Sequence, residues 1–575
     1  MRLSPCLSRI YALLFAVLFA SCGGGGSSSS TSSTGSGAGS GGGSSGGASS
    51  GGASPGAASP GGGSSGSSSA MAVDVATYHN DIARTGQQLA EKTLTLANVN
   101  ATTFGKIGFF ATDGKVDAEP LYLASVPIAG GSHNVLYVET EHASVYAFDA
   151  DSGTPLWHVS TLGANETPSD DFGCFQISPE IGITSTPVID RSRGPHGAIY
   201  VVGMSKDASG NYHQRIHALD MTTGAELFGG PTEIAASFPG NGPNSAGGVL
   251  TFDPKQYAER QSLLELNGNI YTGWTSHCDH DPYNGWVIAY SADTLKQTSV
   301  LNLTPNGTEG AIWMSGAGMA SDGQSIYFLD ANGTFDATLN ANGFPALGDF
   351  GNGFLKLSTT NGLAVADYFN QFDTVTESQA DVDLGSGGAL VLPDFADASG
   401  VVHHLAIGAG KDGNIYVVDR DSMGKFSPGA NNIYQQISGQ LIGREFGMPA
   451  YFGGTVYYGS VDDHVKAFTV SNARFSATPT SQSPETFGAP GTTPSVSANG
   501  SSNAIVWAAQ NGNIAGLYAY DATNLANELY NSNQAPNGRD QFGAGNKFIT
   551  PMIANGKVYV GATNGVAVFG LLGTQ

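Results

Sequence analysis

Residues 145–157 read VYAFDADSGTPLW. Ala147 is followed by Asp149, then Gly153, then Trp157. The alternation before the acid is that of a strand. Acid, hydroxyl and glycine suit a tight turn, because glycine accepts positive φ and an Asp carboxylate can take nearby backbone N–H groups. Trp157 then opens a further strand and needs a flat surface to lie on. The order returns at 217–228, HALDMTTGAELF, with Ala218, Asp220, Gly224 and Phe228. Looser copies begin at Trp286, Asn352, Asn414, Val465, Leu517 and Gly565.

Most copies follow an alternating strand a short way upstream: VLYVET, AIYVVG, NIYTGW, SIYFLD, HLAIGA, TVYYGS, AIVWAA and KVYVGA. Each pair is joined by a turn such as EHAS, DANG or KDGN, so the chain repeats one small sheet eight times. One such sheet cannot bury both faces. Eight around an axis can, and radial closure protects the edges. The expected fold is all-β, an eight-bladed β-propeller. A seven-bladed ring stays open if the last unit joins the first. Closure is expected where the terminal stretch KVYVGATNGVAVFGLL meets either Phe104–Phe110 or Leu121–Val126.

The rest of the chain frames this body, taken as residues 71–575. Residues 1–22 carry Arg2 and Arg9, then an apolar run from Tyr11 to Ala20 that is short for a membrane span, so they read as an export signal. The ending Phe19-Ala20-Ser21-Cys22 resembles a bacterial lipoprotein box, which implies cleavage before Cys22 and lipid on its thiol. Gly23 follows, with no Asp there, and the sorting rule of such lipoproteins then implies the outer membrane. Residues 23–70 are almost wholly Gly, Ser, Ala, Thr and Pro and read as a disordered tether with a reach of about 40 Å. Acids outnumber Lys and Arg by 47 to 23, a net charge of -24 that would repel nucleic acid and anionic headgroups. Two cysteines fall in the body, Cys174 and Cys278, and could form a disulfide in an oxidising compartment.

The repeat resembles the tryptophan-docking motif of the quinoprotein alcohol dehydrogenase-like propellers, Ala-x-Asp-x-x-Thr-Gly-x-x-x-Trp. Ser152 replaces Thr in the first copy, and Phe228 replaces Trp in the second. YHNDIARTGQ, near the start of the body, also resembles that group's opening segment. The resemblance implies that Ala147, Asp149, Gly153, Trp157, Ala218, Asp220, Gly224 and Phe228 are structural girdle residues between blades.

Members of this group that bind pyrroloquinoline quinone (PQQ) imply a site. Trp313 in IWMSGAG would stack on the quinone, and Asn332 in DANGTFD would ligate calcium. Asp381 or Asp383 in ADVDLGSGG would be the general base, and Lys411 in GKDGNIYVVDR would contact the quinone oxygens. The chemistry needs those types: an aromatic floor, a hard cation on oxygen ligands, a carboxylate to take the alcohol proton, and a cation beside the oxygens. Several features depart from the pattern. There is no adjacent-cysteine disulfide, MSKDASGNYHQR stands where a calcium-binding Glu is expected, and no C-x-x-C-H haem site is present. A blade-like unit at about 251–300 also precedes Trp313.

A second cluster, SHCDHDPY, offers His277, Cys278, Asp279, His280 and Asp281. It suits zinc or copper through His277 and His280, or a Cys174–Cys278 bridge, or a polar loop bonded to backbone. The expected function is a lipid-anchored, non-catalytic binding or assembly module without cofactor, engaging an envelope protein, peptide or glycan. The alternative is a PQQ- and calcium-dependent alcohol or sugar dehydrogenase that passes electrons to a separate acceptor.

Overall fold

Blade 1 is built from Leu121–Ile128, Gly131–Glu139, Ser144–Asp149 and Pro155–Ser160, each antiparallel to the next. VLYVET and VYAFDA are thus the second and third strands of one sheet. Val135–Glu139 is buried on both faces, because a blade is covered by a neighbour on each side. The same order recurs in blades spanning 188–233, 264–302, 320–370, 389–437, 450–487 and 495–531. The eighth is closed from both ends of the body. Met552–Ala554, Lys557–Ala562 and Gly565–Leu571 form its inner strands, and Phe104–Ala111 adds the outermost one. This computed structural model, which describes residues 73–573, is therefore an eight-bladed β-propeller. The signal, Cys22 and the tether to residue 70 lie outside the described residues.

Two expectations need correction. Leu121–Val126 does not close the ring; it is the innermost strand of blade 1. The unit preceding Trp313 is not an insertion, because 264–302 is an ordinary blade within the eight.

The repeated turn is the same in the first two blades. Asp149 Oδ1 accepts from the backbone N–H of Asp151 (3.0 Å) and Ser152 (2.7 Å). Asp220 Oδ1 does so from Thr222 (2.9 Å) and Thr223 (3.1 Å). Gly153 and Gly224 follow at φ +75° and +69°. Ala147 and Ala218 are fully buried. The Trp157 indole crosses to blade 2, donates to the Met221 carbonyl (3.1 Å), and lies where a Cβ on Gly224 would stand 2.9 Å from its ring. Phe110 meets Gly153 in the same way across the closing junction. In the second copy Phe228 lies beside Gly194 and packs against the cluster shared by blades 2 and 3, where Leu295 takes the glycine position.

Residues 75–91 run along the innermost strands and touch every blade. Val75 exchanges backbone hydrogen bonds with Tyr122, and the carbonyls of Ala76, Ile82, Ala83, Thr85 and Gly86 accept from Ile189, Ser321, Val391, Tyr451 and Val496. Blade 3 is held by Arg84, fully buried, whose guanidinium donates to the carbonyls of Leu263 (3.0 Å) and Met319 (2.9 Å). Glu91 takes the Gly556 N–H of blade 8 at 2.8 Å. The axis is thus filled along this stretch, and a funnel remains at the end formed by the inter-blade loops.

Candidate functional site

The funnel residues come from the loops that feed each innermost strand. Arg260 stands just before Leu264, Ser315 before Ala320, Ser386 before Ala389, Phe446 before Ala450, Pro490 before Ser495, and Lys547 with Phe548 before Met552. Together with Trp313, Asp383, Lys411, Gln176 and Asp279 they line a cavity of about 260 Å³. A second cavity of about 510 Å³ shares Asp279 and is walled by Glu309, Asn332, Ser378 and Asp381.

Lys411 joins the two candidate bases. Its ammonium lies 2.9 Å from Asp383 and 2.7 Å from Asp381. Burial pulls the lysine pKa down, but the two carboxylates more than offset that and raise it. Asp383 is buried with one carboxylate oxygen unpaired, and burial raises its pKa despite Lys411. Asp381 is exposed. Asn332 is buried and faces the second cavity, with its Oδ1 unpaired. Beside it, Glu309 is pushed up to about 7 by burial and by the charges of Asp281 and Asp279. Trp313, Asp383 and Lys411 therefore meet in one cavity, while Asn332 and Asp381 line its neighbour.

Trp313 itself is only 8% exposed. One side belongs to the buried cluster around Trp274 and Trp286. Arg260 covers it from the funnel, its guanidinium carbon lying over the indole at 5.3 Å and over the Phe548 ring at 4.8 Å. Arg260 is buried, and its pKa is lowered to about 10 by desolvation. Neither Arg260 nor Lys547, Phe446 and Phe548 was expected from sequence. The signal that could have found them is position: each precedes an innermost strand by a few residues, as Ser315 does.

In the histidine-rich loop the structure forms the disulfide. Cys174 and Cys278 are bridged, with Cα atoms 5.7 Å apart, so Cys278 is not a free ligand. The His277 ring is buried and stacks on Phe172 at 4.0 Å, and burial lowers its pKa to about 4. His280 lies on the exposed part of the loop, and Asp279 accepts from the Tyr283 hydroxyl at 2.8 Å. Among the described residues, no group of three or more His, Cys, Asp or Glu is placed to hold a metal ion.

No family model and no curated relative matches the chain. Solved structures do. The quinohemoprotein alcohol dehydrogenase of Comamonas testosteroni superposes with a TM-score of 0.58 over 88% of this chain and 81% of its own, at 13% identity. The chain shares the quinoprotein dehydrogenase fold. Alcohol dehydrogenase ADHIIG of Pseudomonas putida HK5 gives 0.56 over 88% of this chain and 81% of its own, at 14% identity. A europium-containing methanol dehydrogenase gives 0.52 over 87% of this chain and 98% of its own, at 13% identity. At these identities the likeness is one of fold alone.

The residues present do not fit a stacked quinone on this quinoprotein fold. A flat ring on Trp313 needs an open indole face, and Arg260 covers that face. The arginine is not a loose surface side chain. It is buried, it spans two aromatic rings, and its Nη1 donates to Gln176 Oε1 at 3.1 Å.

Proposed function

We propose that the chain is a non-catalytic binding module of the cell envelope, carried by lipid on Cys22 and a tether over residues 23–70. The observation that carries this reading is Arg260 over Trp313. It turns a stacking floor into a closed, charged wall, and the axial funnel becomes a receptor rather than a cofactor slot. The strong excess of acids fits a partner other than nucleic acid.

One observation favours the dehydrogenase reading: Trp313, Asp383 and Lys411 do line one cavity. A single experiment separates the two. The full chain is titrated with PQQ and Ca²⁺ while tryptophan fluorescence and thermal melting are followed, with Trp313→Ala as control. The binding-module reading expects no saturable quenching and no rise in melting temperature at large excess of both. Quenching with a raised melting point, both abolished in the variant, would establish a PQQ site and overturn it.

A further inference from the structure

The funnel carries two kinds of group that a single ligand must satisfy together. Arg260 and Lys547 supply positive charge. Among the described residues, no carboxylate oxygen lies within 4.0 Å of either, although both face the cavity. The Lys547 pKa is lowered first by burial and then by the nearby Arg260 and Lys115. Asp117 lies close enough to act on both electrostatically, and Asp279 and Glu141 also act on Arg260, but Asp117 and Glu141 are themselves buried with their pKa raised. Arg260 is buried whereas Lys547 is exposed, and a buried cation with no carboxylate in contact is costly unless an anion completes it.

The same lining also holds polar groups without partners. Asp383 has an unpaired Oδ1, and its other oxygen is held by Lys411. Asp279 faces the same space. The indole N–H of Trp313 is buried without an acceptor. A simple anion would meet repulsion from the two aspartates, and a neutral polyol would leave the cations unmet. Phe446 and Phe548 add two apolar rings to the lining. A sugar ring presents such surfaces with an apolar C–H face, and about 260 Å³ suits one ring rather than a chain.

We infer that the funnel binds a polyhydroxylated carboxylate, a hexuronic acid unit of an acidic glycan. Its carboxylate lies toward Arg260 and Lys547, its hydroxyls donate to Asp383 and Asp279, and its ring packs on Phe446. The larger cavity beyond Asp279 is walled by Glu309 and Asp381, so a residue linked on that side is neutral. This inference rests on the binding-module reading and names its ligand.

The test is a titration of the full chain with glucuronate and galacturonate, followed by tryptophan fluorescence and calorimetry. Glucose, galactose and acetate serve as matched controls. A saturable response to a uronate is expected, with neutral sugars and acetate at least tenfold weaker. Lys547→Ala is expected to weaken uronate binding tenfold or more with an unchanged melting temperature, since Lys547 is exposed. Arg260→Lys keeps the charge but loses the planar fork, and is expected to weaken it as well. Equal response to glucose and glucuronate would overturn the inference, as would no response to either uronate. So would tighter binding of a short peptide through its C-terminal carboxylate. In those cases the PQQ titration still decides the binding-module reading separately.

Discussion

Glu166 shows how much one side chain holds in the outer part of blade 2. Its carboxylate takes Arg215 at 2.7 Å and 2.8 Å, the Ser205 hydroxyl at 2.8 Å and the Gly163 N–H at 2.8 Å. The Arg215 guanidinium holds its pKa down to about 2. A depressed carboxylate contributes stability that is present above its unfolded pKa and lost as pH falls through the folded one. Glu166→Gln is therefore expected to cost about 1.5–3 kcal/mol at neutral pH, the range for hydrogen bonds to a charged group. The deficit should shrink as pH drops from about 4.5 toward 2, where the native residue also protonates. Melting curves of the two proteins across that range check this. The funnel depends on single residues in the same way, since one arginine sets what can lie on Trp313.

At the scale of elements, the closing strand Phe104–Ala111 is joined to its sheet, among the described residues, by the ladder to Gly565–Leu571, and it comes from the opposite end of the body. Asp540 reinforces it. This fully buried carboxylate accepts from the Lys106 N–H (3.0 Å), the Tyr530 hydroxyl (2.6 Å) and Arg539 Nε (2.7 Å). It thereby ties the strand to the outer edge of blade 7. Asp540→Asn should accelerate hydrogen exchange at the amides of 104–111 severalfold while leaving those of 135–139 unchanged. Uniform exchange across both segments would show that the closure has no separate stability. The blades themselves were legible in sequence because each repeats strand, turn and strand with its own local signals. All eight second strands were readable, from VLYVET to KVYVGA. That Leu295 stands where Phe228 would meet a glycine was not readable from the repeat, because Leu295 lies far along the chain. Trp313, Asp383 and Lys411 were readable from motif order. Arg260 and Lys547 were not, since each is an isolated cation in a loop and only ring closure brings them together.

Taken whole, the molecule buries several carboxylic acids. Glu119, Glu139 and Glu445 are buried, and burial pushes each up to about 8. Among the described residues, neither side-chain oxygen of Glu139 has a hydrogen-bond partner. Raised carboxylates act opposite to Glu166: the folded state binds more protons than the unfolded one between about 4.3 and 8, so stability falls as pH rises through that window. The melting temperature is expected to be higher at pH 5 than at pH 8. Glu139→Gln should flatten the slope and raise the melting temperature at pH 8. A melting temperature that rises from pH 5 to pH 8 would contradict this account. The other whole-molecule feature is the segment 75–91, bonded in turn to all eight blades. It has a mechanical consequence. A pull applied at residue 73 does not peel one strand from one sheet. It loads a line of contacts spread around the whole ring, so the body should resist traction from its N-terminal side better than an equal pull on its last strand.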